Sequence, residues 1–207
     1  MHKKAIIYDL DNTIYYVHSI GERLFASLFK IIEESKIHQE NMTSIRDAIM
    51  RKPFQMVARN YQFSEELTQK GINLLKELTY EDEIRPFNDY GHIKNVPAER
   101  FLVTTGFMKL QHSKIKGMGI EPDFREIHIV DPMTSEKTKK EVFADIMERY
   151  GYQPAEVLVV GDDPESEIKA AQELGIDTVL YDKNNLYPQA RSTYRITDFK
   201  ELSQLAL

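Results

Sequence analysis

Apolar residues along this chain recur in two periods. Short, largely apolar runs fall at 5–9, 101–104, 127–130, 157–160 and 176–181, each rich in Val, Ile, Leu or aromatic residues. Runs of that length and composition predict strands buried on both faces. Between the later runs the spacing changes to that of helices. One is predicted over 109–118, with Gly117 and Gly119 as its stop. A second is predicted over 135–150, where Val142, Phe143, Ile146, Met147 and Tyr150 form the apolar stripe and Gly151 ends it. A third spans 165–174 and stops at Gly175, and a last one begins at Asp198, its N-cap. Strands alternating with helices predict an α/β fold, a Rossmann-like parallel sheet with helices on both faces.

The alternation breaks once. Between the first two strand-like runs lie roughly ninety residues of mostly helical pattern. Helices are predicted over 20–34, 44–50 and 64–78, the last with Ser64 as N-cap and Glu65 and Glu66 in an acidic first turn. The economical reading is an all-α cap inserted over 15–85. The α/β core then comprises 1–14 and 86–207, rejoined around Arg85-Pro86-Phe87, where the proline ends helical pattern. Ligands of open parallel sheets bind outside the carboxyl ends of the strands. A module rising from the end of the first strand would overhang that position, excluding water and selecting substrate.

Composition narrows the classes. The chain has 207 residues, 42% of them hydrophobic and 29% charged, which suits a soluble protein with a real core. The net charge of -6 comes without a basic stripe, so nucleic acid is not an expected partner. The absence of cysteine excludes disulfides, thiolate metal sites and a cysteine nucleophile. No apolar stretch approaches the length of a membrane span, and a cytoplasmic location is expected.

Candidate chemistry gathers at the strand ends. Asp9-Leu10-Asp11-Asn12-Thr13 places two carboxylates two positions apart after the first strand. Like charges so close raise one pKa unless a cation lies between them. The pair suggests a metal site, a nucleophile with an acid/base partner, or both, although Asp, Asn and Thr also serve as caps and turn residues. Thr104, Thr105 and Gly106 end the second strand with a hydroxyl and two amides suited to an anion. Lys137, in the first turn of the predicted 135–150 helix, opposes the helix dipole and is either a solvated charge, like Lys139 and Lys140, or a cation aimed at an anionic ligand. The fourth run ends Gly161-Asp162-Asp163-Pro164-Glu165, followed by Glu167. Capping explains Asp163 but not Asp162. A set of carboxylates suits Mg2+, which takes one or two of them together with phosphate oxygens and water.

In order and spacing these segments resemble the four motifs of the haloacid dehalogenase superfamily of hydrolases. Asp9-Leu10-Asp11-Asn12-Thr13 resembles the first motif, Thr104 the second, Lys137 the third, and Gly161-Asp162-Asp163 with Glu167 the fourth. The resemblance implies a Mg2+-dependent phosphatase acting on a small phosphorylated metabolite such as a sugar phosphate or a nucleoside monophosphate. It implies that Asp9 is the nucleophile and forms an aspartyl-phosphate. Asp11 is the acid/base, and Thr104, Thr105, Gly106 and Lys137 bind phosphate. Asp9, Asp162 and the backbone carbonyl of Asp11 ligate the metal, and Asp163 or Glu167 acts through water or behind those ligands. An aspartate at position 11 separates phosphoryl transfer from the carbon–halogen chemistry of the superfamily. Asn12 stands where glycine is frequent, and Thr138 replaces the proline that often follows the lysine of the third motif. Lys139 and Lys140 therefore remain substitutes for Lys137. A phosphomutase of the same superfamily and a receiver-like signalling domain are the alternatives. Tyr15, Tyr16, His18, Arg51 and Lys52 are the candidates for contacts from the cap to the rest of a substrate.

Overall fold

The computed structural model describes residues 2–205. Among them, six strands form one sheet: β1 (Ala5–Tyr8), β2 (Glu99–Thr105), β3 (Glu126–Val130), β4 (Val157–Gly161), β5 (Asp177–Tyr181) and β6 (Tyr194–Ile196). All pairings are parallel, and the order is β3-β2-β1-β4-β5-β6. Five strands were legible as apolar runs. The sixth has only three residues, too few for a period to show.

Alternation through the sheet splits the core in two. Ile6, Tyr8, Leu102, Leu158 and Val160 face one layer, which includes Leu110 and Ile115 of α6 (Met108–Met118). Ala5, Ile7, Phe101, Val103, Val157 and Val159 face the other, packed on Val142, Phe143 and Ile146 of α7 (Lys139–Tyr150). β1 is buried throughout, as its unbroken apolar run requires.

Two helices depart from expectation in ways that bear on the site. The one predicted from 135 starts at Lys139. Thr138 is its N-cap, and its N–H and hydroxyl bond the Glu141 carboxylate at 2.6 and 2.8 Å. This capping box sets the boundary and leaves Lys137 in the loop before it. The helix predicted over 165–174 divides into a kinked turn, Pro164–Ile168, whose Ser166 has non-helical backbone at φ -109° and ψ -105°, and the short α8 (Lys169–Gln172). The segment capped by Asp198 is a 3-10 helix, Phe199–Gln204. Gly119 and Gly151 end α6 and α7 in the left-handed region, whereas Gly117 lies within α6.

Between β1 and β2 lie five α-helices: α1 (His18–Leu24), α2 (Ala26–Glu34), α3 (Met42–Ile49), α4 (Phe54–Asn60) and α5 (Glu65–Glu77). The helix expected over 20–34 breaks at Phe25, where φ is -96° and ψ is 11°. Ser64 caps α5 by accepting from the Leu67 N–H at 3.2 Å. α4 went unread, although Phe54, Val57 and Ala58 bury one face at helical spacing. The chain returns to the sheet at Phe87, whose N–H donates to the Ile14 carbonyl at 2.8 Å. Entry and exit of the helical segment are thereby held side by side.

Candidate active site

Strand order reverses between β1 and β4, the position at which parallel sheets open a crevice beyond their carboxyl ends. Asp9 follows β1 directly, and its N–H continues the ladder to the Val160 carbonyl at 3.0 Å. Asp162 follows β4. Carboxylate oxygens of Asp9, Asp162 and Glu167 all lie within 4.8 Å of one another. Glu167 reaches this cluster because the kinked turn folds it back against Gly161, where a Cβ would collide with its side chain. The residue type at 161 is therefore set by a close approach.

The cation among these acids is Lys139. Its Nζ donates to Asp9 Oδ1 at 2.6 Å and to Glu167 Oε2 at 2.8 Å, with all three side chains buried. Burial opposes the lysine's charge, but Asp9 and Glu167 raise its pKa above the usual lysine range. Burial pushes the Asp9 carboxyl up to about 7, against the pull of Lys139 and with a further push from Glu167. Asp162 is likewise driven well above the carboxylate range, by burial and then by the charges of Glu167, Asp9 and Asp163. One lysine does not neutralise this cluster, and its donors are all hard carboxylate oxygens. The residues fit a divalent cation of the Mg2+ type.

Lys137 does not enter the site. It is exposed and pairs with Asp145 at 3.2 Å, while Lys140 pairs with Glu173 at 2.8 Å. The expected lysine was displaced by two positions because the capping box starts α7 at 139. Two further expectations change. The Gly106 N–H is already committed to the Val130 carbonyl at 3.1 Å and is not free for phosphate. Glu167 lies within the carboxylate cluster itself rather than behind it. Asp163 also lines the crevice, capping the Glu165 N–H at 2.9 Å and pairing with Lys52 at 2.8 Å.

Asp11 occupies a different environment from Asp9. Its Oδ1 accepts from the Tyr15 hydroxyl at 2.5 Å and from Lys114 Nζ at 2.8 Å; its Oδ2 accepts from Gln111 Nε2 at 2.8 Å. Burial disfavours its charge, but these three donors, Lys114 foremost, hold it below the usual carboxylate range. Gln111 also donates to the Thr104 hydroxyl at 2.7 Å, tying the ends of β1 and β2 together. Gln111 and Lys114 were missed in the sequence. The available signal was two polar residues at i and i+3 on the buried face of α6, beside Leu110 and Ile115.

Asn12, at φ 60°, adopts the left-handed conformation that asparagine tolerates. Its side chain accepts from the Val17 N–H and donates to the Met50 carbonyl, both at 3.2 Å, so the strand end grips the helical segment. Above the acids opens a cavity of about 140 Å³, partly open to solvent. Its floor includes Asp9, Asp11, Thr104, Lys139, Asp162 and Glu167. Arg51, Lys52, Phe54 and Gln55 of the helical segment line it as well. Tyr15 is buried against Asp11. Tyr16 and His18 stack on each other with centroids 4.8 Å apart, away from this cavity.

A family model described as haloacid dehalogenase-like hydrolase matches residues 6–181. The chain belongs to that family, and the class of protein is therefore a hydrolase with this fold. Among its relatives are the HAD-hydrolase YfnB of Bacillus subtilis, 29% identical over 62% of this chain and 64% of YfnB. The pyrimidine 5'-nucleotidase PynA of Streptococcus pneumoniae is 23% identical over 85% of this chain and 73% of PynA. A glyceraldehyde 3-phosphate phosphatase of Methanopyrus kandleri is 23% identical over 85% of this chain and 82% of its own length. The chain thus spans slightly under two thirds of YfnB. Among solved structures, the haloacid dehalogenase-like protein SP0104 of Streptococcus pneumoniae shares the fold with a TM-score of 0.76 at 15% identity, over 98% of this chain and 97% of that one. Magnesium-bound YfnB shares it with a TM-score of 0.63 at 21% identity, over 99% of each chain.

Proposed function

We propose that this protein is a Mg2+-dependent phosphatase of a small phosphorylated metabolite, working through an aspartyl-phosphate. The observation that carries the reading is the division of labour between two aspartates two residues apart. Asp9 lies in an acidic cluster bound by Lys139, and Asp11 lies in a separate cradle of donors. Relatives named as a pyrimidine nucleotidase and a glyceraldehyde 3-phosphate phosphatase, and a structural neighbour bound to magnesium, point the same way.

In this reading an Asp9 carboxylate oxygen attacks phosphorus, and the bond from phosphorus to the leaving oxygen breaks. Asp11 protonates that oxygen, then takes a proton from the water that hydrolyses the acyl phosphate. Its contacts with Lys114, Tyr15 and Gln111 favour the ionised form, the one the water step needs, so the acid step requires Asp11 to have taken up a proton before the ester bond breaks. Lys139 orients Asp9 and offsets phosphoryl charge, and the Thr104 hydroxyl bonds a phosphoryl oxygen. Asp9, Asp162 and Glu167, with the Asp11 carbonyl, would hold Mg2+, which when bound neutralises charge on the phosphoryl oxygens. The helical segment acts as a cap over 15–85, closing the cavity against water.

Hydrolysis of p-nitrophenyl phosphate tests this, measured with Mg2+, with EDTA and in Asp9→Asn. Activity is expected with Mg2+ alone; activity that survives both EDTA and the substitution removes the mechanism. Transfer to a second hydroxyl of the substrate, dependent on a bisphosphate activator, would instead mark a mutase.

A further inference from the structure

Gln55 lies on α4 and lines the same cavity as Asp9. Both atoms of its amide, Nε2 and Oε1, are buried and have no hydrogen-bond partner. Of the buried side-chain polar atoms found without partners among the described residues, only those of Gln55 belong to a residue lining this cavity. The other amides there are satisfied: Asn12 by Met50 and Val17, Gln111 by Asp11 and Thr104. The two insert cations are also engaged, Lys52 with Asp163 and Arg51 with Asp47. A buried amide lacking both a donor partner and an acceptor partner is costly, and such exceptions mark places where something else completes the network.

We infer that Gln55 is a specificity residue that reads the edge of a nucleobase, and that the substrate is a nucleoside monophosphate whose base presents adjacent donor and acceptor groups. A carboxamide offers one donor and one acceptor side by side. The uracil edge answers with N3–H and a ring carbonyl, and the cytosine edge with N3 and its amino group once the amide is turned over. The cavity lining includes the apolar residues Phe25, Ile49, Met50 and Phe107. That setting suits a flat ring and disfavours a hydroxyl-covered sugar, whose oxygens would be left unpaired. The inference rests on the phosphatase reading, since the phosphate end is placed at Asp9. The base end adds a selectivity which that reading does not require.

The test compares kcat/KM for UMP with that for ribose 5-phosphate, which carries the same phosphate without the base. The wild-type protein is expected to prefer UMP, and Gln55→Leu to lower that preference by about tenfold to a hundredfold, the usual range for a paired amide on a base edge. Gln55→Glu keeps acceptors and loses the donor, so its preference for UMP over ribose 5-phosphate should fall as well. Thermal melts establish that both variants fold. Uridine, which has no phosphate, supplies a readout independent of turnover: saturation-transfer NMR should detect it on the wild type and weaken in Gln55→Leu. Equal use of UMP and ribose 5-phosphate by the wild type, or a preference unchanged in Gln55→Leu, overturns the inference even where p-nitrophenyl phosphate is hydrolysed. Absence of uridine binding overturns it where no ester is hydrolysed at all, an outcome that also removes the phosphatase reading.

Discussion

Lys139 illustrates how much a single residue decides at this site. Three buried charges, Asp9, Lys139 and Glu167, are held at 2.6 and 2.8 Å with the lysine between two acids. Removing one member of a buried ionic group is costly because the remaining charges stay desolvated, by about 3–5 kcal/mol. Lys139→Met is therefore expected to lower stability by roughly that amount in EDTA, and to reduce kcat by about 10²- to 10³-fold, the scale of a lost transition-state cation. Lys137→Ala, at an exposed pair with Asp145, should leave kcat within about twofold and stability within ~0.5 kcal/mol. Urea denaturation and steady-state kinetics on the two variants check both statements; equal losses would return Lys137 to the site. Asn12 shows the same dependence on local geometry. At φ 60° a β-branched residue is strained, and the bridge from Asn12 to Met50 and Val17 is lost. Asn12→Val should cost about 1–3 kcal/mol in the same denaturation assay.

At the scale of elements, α6 contributes more than packing. Its buried face presents Gln111 and Lys114 to Asp11 and Thr104, so one helix sets the ends of two strands. Lys114 favours an ionised Asp11, which the proposed water step uses. For p-nitrophenyl phosphate, whose leaving group needs no proton, Lys114→Met should then slow hydrolysis of the intermediate rather than its formation. The expected signature is a kcat lower by about tenfold to a hundredfold, a KM that falls with it, and a burst of p-nitrophenol in rapid-mixing experiments. An unchanged kcat would assign Lys114 to structure alone. The kinked turn Pro164–Ile168 is the second such element. It returns Glu167 to the acids only because Gly161 leaves room. Gly161→Ala should displace Glu167 and raise the Mg2+ concentration needed for half-maximal activity, with little change at saturating Mg2+.

At the scale of the whole molecule, the acidic crevice links stability to pH and to cations. Asp9 has a folded pKa of about 7, above its ordinary value of 3.8. A carboxyl raised on folding binds its proton more tightly in the native state than in the unfolded one. Its contribution is present at low pH and is lost as pH rises from about 4 to about 7. The protein in EDTA should therefore lose stability across that interval through this site. A divalent cation bound to the ionised cluster reverses the loss, so the rise in Tm produced by Mg2+ should be larger at pH 8 than at pH 5. Melting curves at the two pH values with and without Mg2+ decide it, and an equal rise at both would argue against the carboxylate cluster as the binding site. The two-period pattern was enough to read five of six strands, the helical segment after β1 and the acids at the strand ends, because buried strands leave unbroken apolar runs and strand-end carboxylates stand out against them. Adjacency was not legible. Nothing in the one-dimensional pattern places Lys114 against Asp11, 103 positions apart, or chooses Lys139 over Lys137. Nor could it show that Gly106 spends its amide on Val130, or that the Gln55 amide lies buried without a partner. Those facts depend on where a capping box starts a helix, on strand order, and on how the helical segment lies over the sheet. By itself the sequence determined which strand ends carry the acids. Only tertiary packing decided which charges meet, because burial and distance set the strength of every interaction among them.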